Sequence, residues 1–156
     1  MSRTILLLLA GAIHVLAFSP FNLWWMSIVS LSLLYVLHQQ NTTHPFKSGY
    51  LYGLGMFGLG TSWVFNSLYD FGEAPFIAAV AITFVSTLVL SLFPALVLKA
   101  HAKLQSAALN VWMNALVFAA LWALLEWIRS WILTGFPWLL SGHVLVDSPL
   151  SGAIPV

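Results

Sequence analysis

The sequence predicts an all-α membrane protein with about five transmembrane helices, and three observations lead to that fold class. Hydrophobic residues make up 61% of the 156 residues and charged residues only 6%, whereas a typical soluble domain carries about 25% charged residues. The apolar residues lie in successive segments that short polar or Gly/Pro-containing stretches separate. Because the bilayer core offers the backbone no hydrogen-bond partner, helices are expected for such segments.

The expected helices form a single transmembrane domain over residues 1–156. Breaker residues or polar loops mark where the helices end. The first helix, at about 4–18, ends before the breaker cluster 19–22 and forms a tight hairpin with the second. An uncleaved first helix is favoured over a cleaved signal peptide, because no small-x-small cleavage site follows and more apolar segments do. Pro94 is expected to kink the fourth helix. The other helices are expected at about 23–37, 49–68, 76–98 and 109–133, followed by a tail over 134–156.

The placement of charges predicts the orientation in the membrane. If five segments alternate, the basic residues outside the helices fall on one side, in a polar loop at 38–48 and a short basic loop at 99–103. The positive-inside rule then makes the N-terminus cytoplasmic and the C-terminal tail periplasmic. Arg129 alone departs from the pattern. The two sets are Arg3, Lys47, Lys99 and Lys103 on one side and Asp70, Glu73 and Asp147 on the other.

Composition and spacing exclude several kinds of site from these residues. The absence of cysteine excludes disulfides, thiolate metal ligands and a thiol nucleophile. The net charge of +1 gives no basic surface for nucleic acid. The histidines lack metal-ligand spacing, and no serine lies in a Gly-x-Ser-x-Gly pattern. We therefore expect no metal ion, cofactor or catalytic residue here.

A glycine pattern at residues 53–58 has the spacing of a dinucleotide-binding fingerprint. That fingerprint requires a preceding strand and a helix that opens at a water-accessible pyrophosphate site. Here the pattern lies within an apolar segment. The interpretation we prefer is close helix packing, in which small residues let a neighbouring helix approach. The glycines concerned are Gly49, Gly53, Gly58 and Gly60.

Glu126 and Arg129 are the charges that cost most to place in a membrane. They are three residues apart, so they share one face of a helix and can form a pair. Intramembrane charges usually face a bundle interior or an aqueous cavity. The pair is either a structural ion pair near the outer interface or the polar lining beneath an outward-facing site, and the sequence favours neither.

A rigid turn with two aromatic residues follows the fifth helix. Gly135, Phe136 and Trp138 belong to it, with Pro137 between the aromatic residues. The aromatic side chains could anchor the chain at the membrane interface, which general physical grounds modestly favour. They could instead form a wall for an acyl chain or a gate over a cleft.

An ordered series of motifs resembles the bacterial apolipoprotein N-acyltransferases, and the series covers nearly the whole chain. Any one motif is weak, but their joint order and spacing are specific, most of all LTGFPWL at 133–139. The others are LAFSPF at 16–21, GYLYGLGMFG at 49–58, SWV at 62–64, FG at 71–72, LW at 121–122, EWIR at 126–129, DSPL at 147–150 and GAIPV at 152–156.

The resemblance implies an enzyme of the bacterial inner membrane, with an eight-helix bundle and a nitrilase-like domain outside it. Such enzymes transfer an acyl chain from a phospholipid to the N-terminal diacylglyceryl-cysteine of a lipoprotein. The reaction passes through a thioester on a cysteine, with a glutamate as base and a lysine at the oxyanion. Residue by residue, Gly135, Phe136 and Trp138 match the family's turn near the active-site entrance, and Glu126 and Arg129 match its intramembrane polar pair.

This chain departs from the family because it stops at Val156 and contains no cysteine. The nitrilase-like domain and the last helices are absent from these residues, so Glu126 is not the catalytic glutamate. We expect the chain to be the N-terminal membrane part of such an enzyme and to be inactive alone. The alternative is a small non-enzymatic membrane scaffold or lipid-binding bundle subunit. A transporter is a weaker alternative, since no discontinuous helix pair is evident.

Overall fold

The computed structural model describes residues 2–40, 43–106, 108–132, 135–146, 148–149 and 151–153. These residues form α-helices and short helical turns, and no strand occurs among them. A π-helical turn, Ser67–Phe71, and two 3₁₀ turns, His143–Leu145 and Ser151–Ala153, complete the helical structure. The α-helices are α1 (Arg3–Val15), α2 (Trp25–Gln40), α3 (Pro45–Gly60), α4 (Trp63–Asn66), α5 (Phe76–Leu90), α6 (Leu92–Leu104) and α7 (Val111–Trp131).

Helix α3 lies at the centre of the bundle, between α1 and α6. It runs in the same direction as α1, and a Cβ on Gly11 of α1 would collide with the backbone of Tyr52 and Met56. Gly55 lies equally close to the backbone of Leu8. The ring of Tyr52 and the side chain of Met56 are almost completely buried at this contact. Glycine is therefore required on both helices for this close approach.

Close packing against α6 and the Ser91 junction before it confirms the interpretation of the glycine pattern at two of its four positions, Gly49 and Gly53. A Cβ on Gly49 would collide with the backbone of α6, and one on Gly53 would lie 2.7 Å from the Cα of Ser91. At Gly60 a Cβ would meet the side chain of Leu139. Gly58 has nothing within 4 Å of the position a Cβ would take, so packing does not explain it.

The long apolar stretch after residue 75 consists of two helices that meet at Ser91. Pro94 has no N–H, so the carbonyl of Leu90 cannot receive the hydrogen bond that a helix would give it. The next bond, from the Ala95 N–H to the Ser91 carbonyl, is long at 3.4 Å. The break expected at Pro94 therefore lies about one turn earlier, where the proline removes the backbone hydrogen bond.

The predicted limits of the first and third helices need correction. The first ends at Val15 rather than residue 18, and backbone hydrogen bonds of successive turns follow it up to Asn22. The third occupies 45–60 rather than 49–68. Pro45 starts it, as suits the first helical position, and at its end the hydroxyl of Thr61 donates to the Phe57 carbonyl at 2.6 Å. The peptide bond between Ser19 and Pro20 is cis.

Both predicted basic loops are largely helical. Helix α2 continues to Gln40 and α3 already begins at Pro45, so the loop expected at 38–48 shrinks to a few residues. Residues 99–103 lie within α6, which runs to Leu104 instead of ending at 98. The sequence there is rich in Lys, Ala and Leu, which are good helix formers, and charge alone misled the prediction.

Two stretches among the described residues are long and apolar enough to cross a membrane, by length and composition. They are Phe76–Leu104, with 29 residues, and Val111–Trp131, with 21 residues. Helix α1 is apolar but shorter. The predicted fifth helix, 109–133, is observed as 111–131. Residues 133 and 134, where that helix was to end and the tail to start, lie outside the described residues, as do Asp147 and residues 154–156.

Candidate functional site

The predicted site residues lie where α7 ends and the chain turns back towards α3. Asn110 caps the start of α7 by accepting a hydrogen bond from the Met113 N–H at 2.9 Å. The helix ends at Trp131, after which the backbone is extended. Glu126 and Arg129 therefore occupy its last turns, within reach of the residues that follow.

Arg129 binds the turn that follows its own helix. Its side chain is only 2% exposed, and its Nη1 donates to the carbonyl oxygens of Phe136, at 3.2 Å, and Trp138. Its Nη2 donates to the Leu139 carbonyl at 3.4 Å. The guanidinium also lies over the ring of Phe57, 5.2 Å from the centroid, which is a cation–π contact with α3.

The backbone of this turn is bent so that its carbonyls point at Arg129. Gly135 has a φ of +78°, and a Cβ there would also collide with the Ser130 carbonyl. Leu139 has a φ of +55° although it is not glycine. Its side chain is 2% exposed and packs against Gly60. Glycine at 135 and burial at 139 are thus the local reasons for this conformation.

Trp138 joins the turn to the end of α3. Its indole N–H donates to the carbonyl oxygen of Gly60 at 2.8 Å. Its ring lies 5.1 Å from that of Trp63, between centroids. The side chain is nevertheless 44% exposed. The tryptophan is therefore fixed in position while much of its surface stays accessible. We call residues 135–139, held by Arg129 and Gly60, the aromatic turn.

Glu126 holds the next part of the chain, just beyond the aromatic turn. Its carboxylate accepts hydrogen bonds from the Ser141 N–H at 3.0 and 3.1 Å and from the Ser141 hydroxyl at 2.9 Å. The indole N–H of Trp122, one turn earlier in α7, donates to the same carboxylate at 2.9 Å. Charge-assisted bonds of this kind are stronger than bonds between neutral groups.

The structure gives the two charges of α7 separate partners. No direct ion pair joins Glu126 to Arg129, both of which are described residues. Arg129 binds carbonyls of residues 136–139, and Glu126 binds Ser141. The two charges thus hold neighbouring parts of one connection.

A cleft of about 300 Å³ lies beside the aromatic turn. Gly135 and Phe136 line it together with Arg129, and α5 supplies the opposite wall through apolar side chains such as Val85 and Val89. Trp138 is not among its lining residues and contacts α3 and Trp63 instead. The structure thus brings two of the three predicted entrance residues to one cleft.

Several polar residues of this region were not predicted from the sequence. Ser141 has no motif to mark it, and its role follows only from the fold. The Tyr52 hydroxyl lies 2.6 Å from the Ser30 Oγ and 3.3 Å from the His14 Nδ1, and all three side chains are fully buried. The sequence could have indicated this cluster, because each of three apolar helices contains one of these polar residues. Polar residues in apolar helices usually face one another in a bundle.

This buried polar cluster reaches the site through Trp122. The Trp122 ring lies 5.9 Å from that of Tyr52 and 6.3 Å from that of His14, between centroids. The Ser30 hydroxyl donates to the Ala10 carbonyl at 2.6 Å, which ties α2 to α1. Within the described part of the chain, no group of three or more His, Cys, Asp or Glu side chains is arranged to hold a metal ion.

Comparison with known families gives one match over most of the chain. Residues 10–156 match the family described as the apolipoprotein N-acyltransferase N-terminal domain. All residues of the candidate site fall within the matched region.

Individual relatives agree with this family match. The chain is similar to apolipoprotein N-acyltransferases of Azotobacter vinelandii (39% identity, 97% of this chain, 30% of the relative) and Pseudomonas paraeruginosa (40%, with the same coverage). The enzyme of Vibrio vulnificus is 34% identical over 100% of this chain and 31% of its own length. The chain therefore spans about 30% of the length of the curated relatives it matches.

Proposed function

Because the chain belongs to the apolipoprotein N-acyltransferase family, through that family's N-terminal domain, we propose that it forms the membrane part and lipid entrance of such an enzyme. The whole enzyme transfers an acyl chain from a phospholipid to the N-terminal diacylglyceryl-cysteine of a lipoprotein. The observation that carries this proposal is the aromatic turn, which Arg129 and Gly60 fix beside an apolar cleft.

In this proposal the chain is embedded in the bacterial inner membrane through five segments: α1, α2, α3, the pair α5–α6, and α7. Side chains that would contact lipid support this arrangement, since Ile77, Trp112 and Leu116 are large, apolar and 63–81% exposed. The two ends of the bundle also differ in charge. Arg3 donates to Ser48, Lys99 lies over the ring of Phe46, and both contacts are at the N-terminal end of α3.

The orientation follows from this difference between the ends. The basic end belongs in the cytoplasm by the positive-inside rule. The other end carries Asp70 and Glu73 in the connection from α4 to α5, and it also carries the aromatic turn. The turn and the tail then face the periplasm, where lipoprotein substrates of this family would be met.

The cleft beside the aromatic turn suits one apolar chain of a phospholipid. Its walls are mostly apolar, and its polar side chains are those of Arg129 and Ser86. Arg129 and Glu126 act in this proposal as the polar lining beneath an outward-facing site. Arg129 holds the turn in the conformation that keeps Phe136 at the cleft and Trp138 partly exposed, and Glu126 holds Ser141 just beyond it. A fixed geometry of this kind reduces the entropy lost when a substrate is positioned.

The reacting groups of the transfer are not assigned to these residues. The chain has no cysteine for a thioester, and the half-buried carboxylate of Glu126 accepts hydrogen bonds from Ser141 and Trp122. The partners proposed here are therefore a phospholipid acyl donor and a diacylglyceryl lipoprotein, both bound at the entrance, together with membrane lipid around the helices.

A chimera tests the proposal directly. These 156 residues replace the aligned N-terminal 30% of the Azotobacter vinelandii relative, and the chimera is expressed in a strain depleted of its own enzyme. Growth and triacylated lipoprotein, measured by mass spectrometry, are expected. The matched control carries Trp138→Ala, which should accumulate in the membrane but transfer acyl chains poorly.

Two outcomes would count against the proposal. A chimera that inserts stably and yet leaves lipoproteins diacylated would favour the alternative, a non-enzymatic membrane scaffold. Rescue by the 156 residues alone would contradict the assignment of the reacting groups to other parts of the enzyme.

A further inference from the structure

We propose that the N-terminal ends of α1 and α3 form a binding site for a phosphate group, at the end of the bundle opposite the aromatic turn. The site is a small pocket of about 140 Å³. Its distance from the acyl-transfer entrance makes it a separate site. Lys47 and Gly60 are 13 residues apart on α3, which corresponds to about 20 Å along the helix axis.

Cationic and polar groups from two helices meet in this pocket. Arg3 and Thr4 line it from α1, and His44, Lys47 and Ser48 line it from the start of α3. The protein has only five Lys and Arg residues in its whole sequence, and two of them contribute to this one small pocket. Among the described residues that line it there is no carboxylate. The pocket therefore has a positive potential in a chain that is otherwise poor in charge.

One polar side chain of the pocket is already held in place. Ser48 is 5% exposed, and its hydroxyl accepts a hydrogen bond from the Arg3 Nη2 at 3.3 Å. The contact sets the guanidinium of α1 against the first turn of α3. The geometry of the pocket thus follows from helix packing and not from flexible surface side chains alone.

The first turn of α3 adds a further attraction for an anion. The residue before the helix, His44, makes no capping hydrogen bond with its side chain. Pro45 occupies the first helical position and has no N–H. Helix α3 has 16 residues, so its N-terminus carries a substantial partial positive charge. A phosphate oxygen near Lys47 would meet this charge together with the ammonium group.

The apolar side of the pocket indicates where such a phosphate group could come from. Leu7 and Leu51 line it below the polar groups, so one wall suits the glycerol and upper acyl region of a lipid. The pocket would recognise a negatively charged phosphate group. Both the phosphodiester of an anionic phospholipid headgroup and free inorganic phosphate carry one. The lipid source depends on the membrane embedding proposed above, whereas binding of inorganic phosphate does not.

The test compares two exposed lysines of equal charge. Lys47 lines the pocket and Lys103 does not, although both are exposed. The purified protein in neutral detergent is titrated with phosphatidylglycerol, and binding of the first lipid is followed by native mass spectrometry. Lys47→Ala is expected to weaken that binding about fivefold, the equivalent of about 1 kcal/mol per basic residue, and Lys103→Ala to leave it within about twofold.

A second variant and a second ligand complete the experiment. Arg3→Lys keeps the charge but loses the planar donor set, and it should weaken binding as well. In a parallel titration with inorganic phosphate, followed by thermal stability, a rise in Tm that Lys47→Ala abolishes identifies free phosphate as a ligand. Equal loss of lipid binding in Lys47→Ala and Lys103→Ala, or no saturable binding of either ligand, would overturn the proposal. None of these measurements depends on acyl transfer, so their failure would leave the proposed function untouched.

Discussion

The indole N–H of Trp138 donates to the carbonyl oxygen of Gly60 at 2.8 Å and so joins two parts of the chain that are 78 residues apart. Gly60 is the last residue of α3, and carbonyls at a helix end lack an intrahelical partner. The tryptophan satisfies that carbonyl while its ring remains partly exposed. The contact thus fixes an exposed aromatic side chain beside the lipid entrance that we propose.

Trp138→Ala is expected to reduce acyl transfer by the chimera by about 10- to 100-fold, because the aromatic turn loses its contact with α3. Trp24→Ala, which removes an indole outside the aromatic turn, should have a smaller effect. Transfer of labelled acyl chains to a diacylated peptide in detergent measures both variants at equal protein concentration. Equal losses in the two variants would argue against a role for the aromatic turn.

Trp138→Phe separates the hydrogen bond from the ring. Phenylalanine keeps an aromatic surface beside Trp63 but cannot donate to Gly60. The loss of one partly buried hydrogen bond is worth about 1 kcal/mol, so an intermediate rate between wild type and Trp138→Ala is expected. A rate equal to that of wild type would mean that the N–H is not needed to hold the ring.

Arg129→Met is expected to destabilise the protein by about 3 kcal/mol, because it leaves the carbonyls of the aromatic turn buried without a donor. Arg129→Lys should cost less, since an ammonium can reach some of the three carbonyls but lacks the planar arrangement of donors. Chemical unfolding in detergent measures the free-energy changes. The control is Lys103→Met, an exposed cation whose removal should change stability by less than about 0.5 kcal/mol.

Glu126 and Ser141 are expected to be energetically coupled. Ser141→Ala removes the hydroxyl bond but keeps the backbone N–H bond, and Glu126→Gln removes the charge but keeps an acceptor. A double-mutant cycle on unfolding free energy should give a coupling of about 1–2 kcal/mol. Glu126→Gln paired with Ser86→Ala, a serine of α5 that lines the cleft beside the aromatic turn, should give additive effects within about 0.5 kcal/mol.

The all-helical class could be predicted because it depends on composition and on apolar segment length alone. Helix limits were less predictable. Helix α3 ends at Gly60, within an apolar run that the sequence continues to residue 68. Helix α6 continues through three basic residues, and His101 among them is buried in the bundle, a tertiary contact that the charge pattern cannot reveal.

The candidate site, too, could be predicted from the sequence only in part. The aromatic residues and the two charges of α7 could be identified because their types are unusual at those positions. Their partners could not, since main-chain carbonyls and the N–H of Ser141 have no residue type to mark them. The prediction that Glu126 and Arg129 can pair used helix periodicity alone. The structure adds a returning chain that offers each charge closer hydrogen-bond partners than the other charge does.

Gly49→Ala and Gly58→Ala are expected to change stability in opposite directions, although both place a methyl group in the same helix. At Gly49 the methyl would collide with the backbone around Pro94, and backbone cannot give way as a side chain can. Overpacking of this kind typically costs about 1–3 kcal/mol. At Gly58 the space is open, so the better helix propensity of alanine should stabilise the protein by about 0.5–1 kcal/mol. Unfolding in mixed detergent micelles measures both changes, and a stabilised Gly49→Ala would show that α3 and α6 are not packed as closely as described.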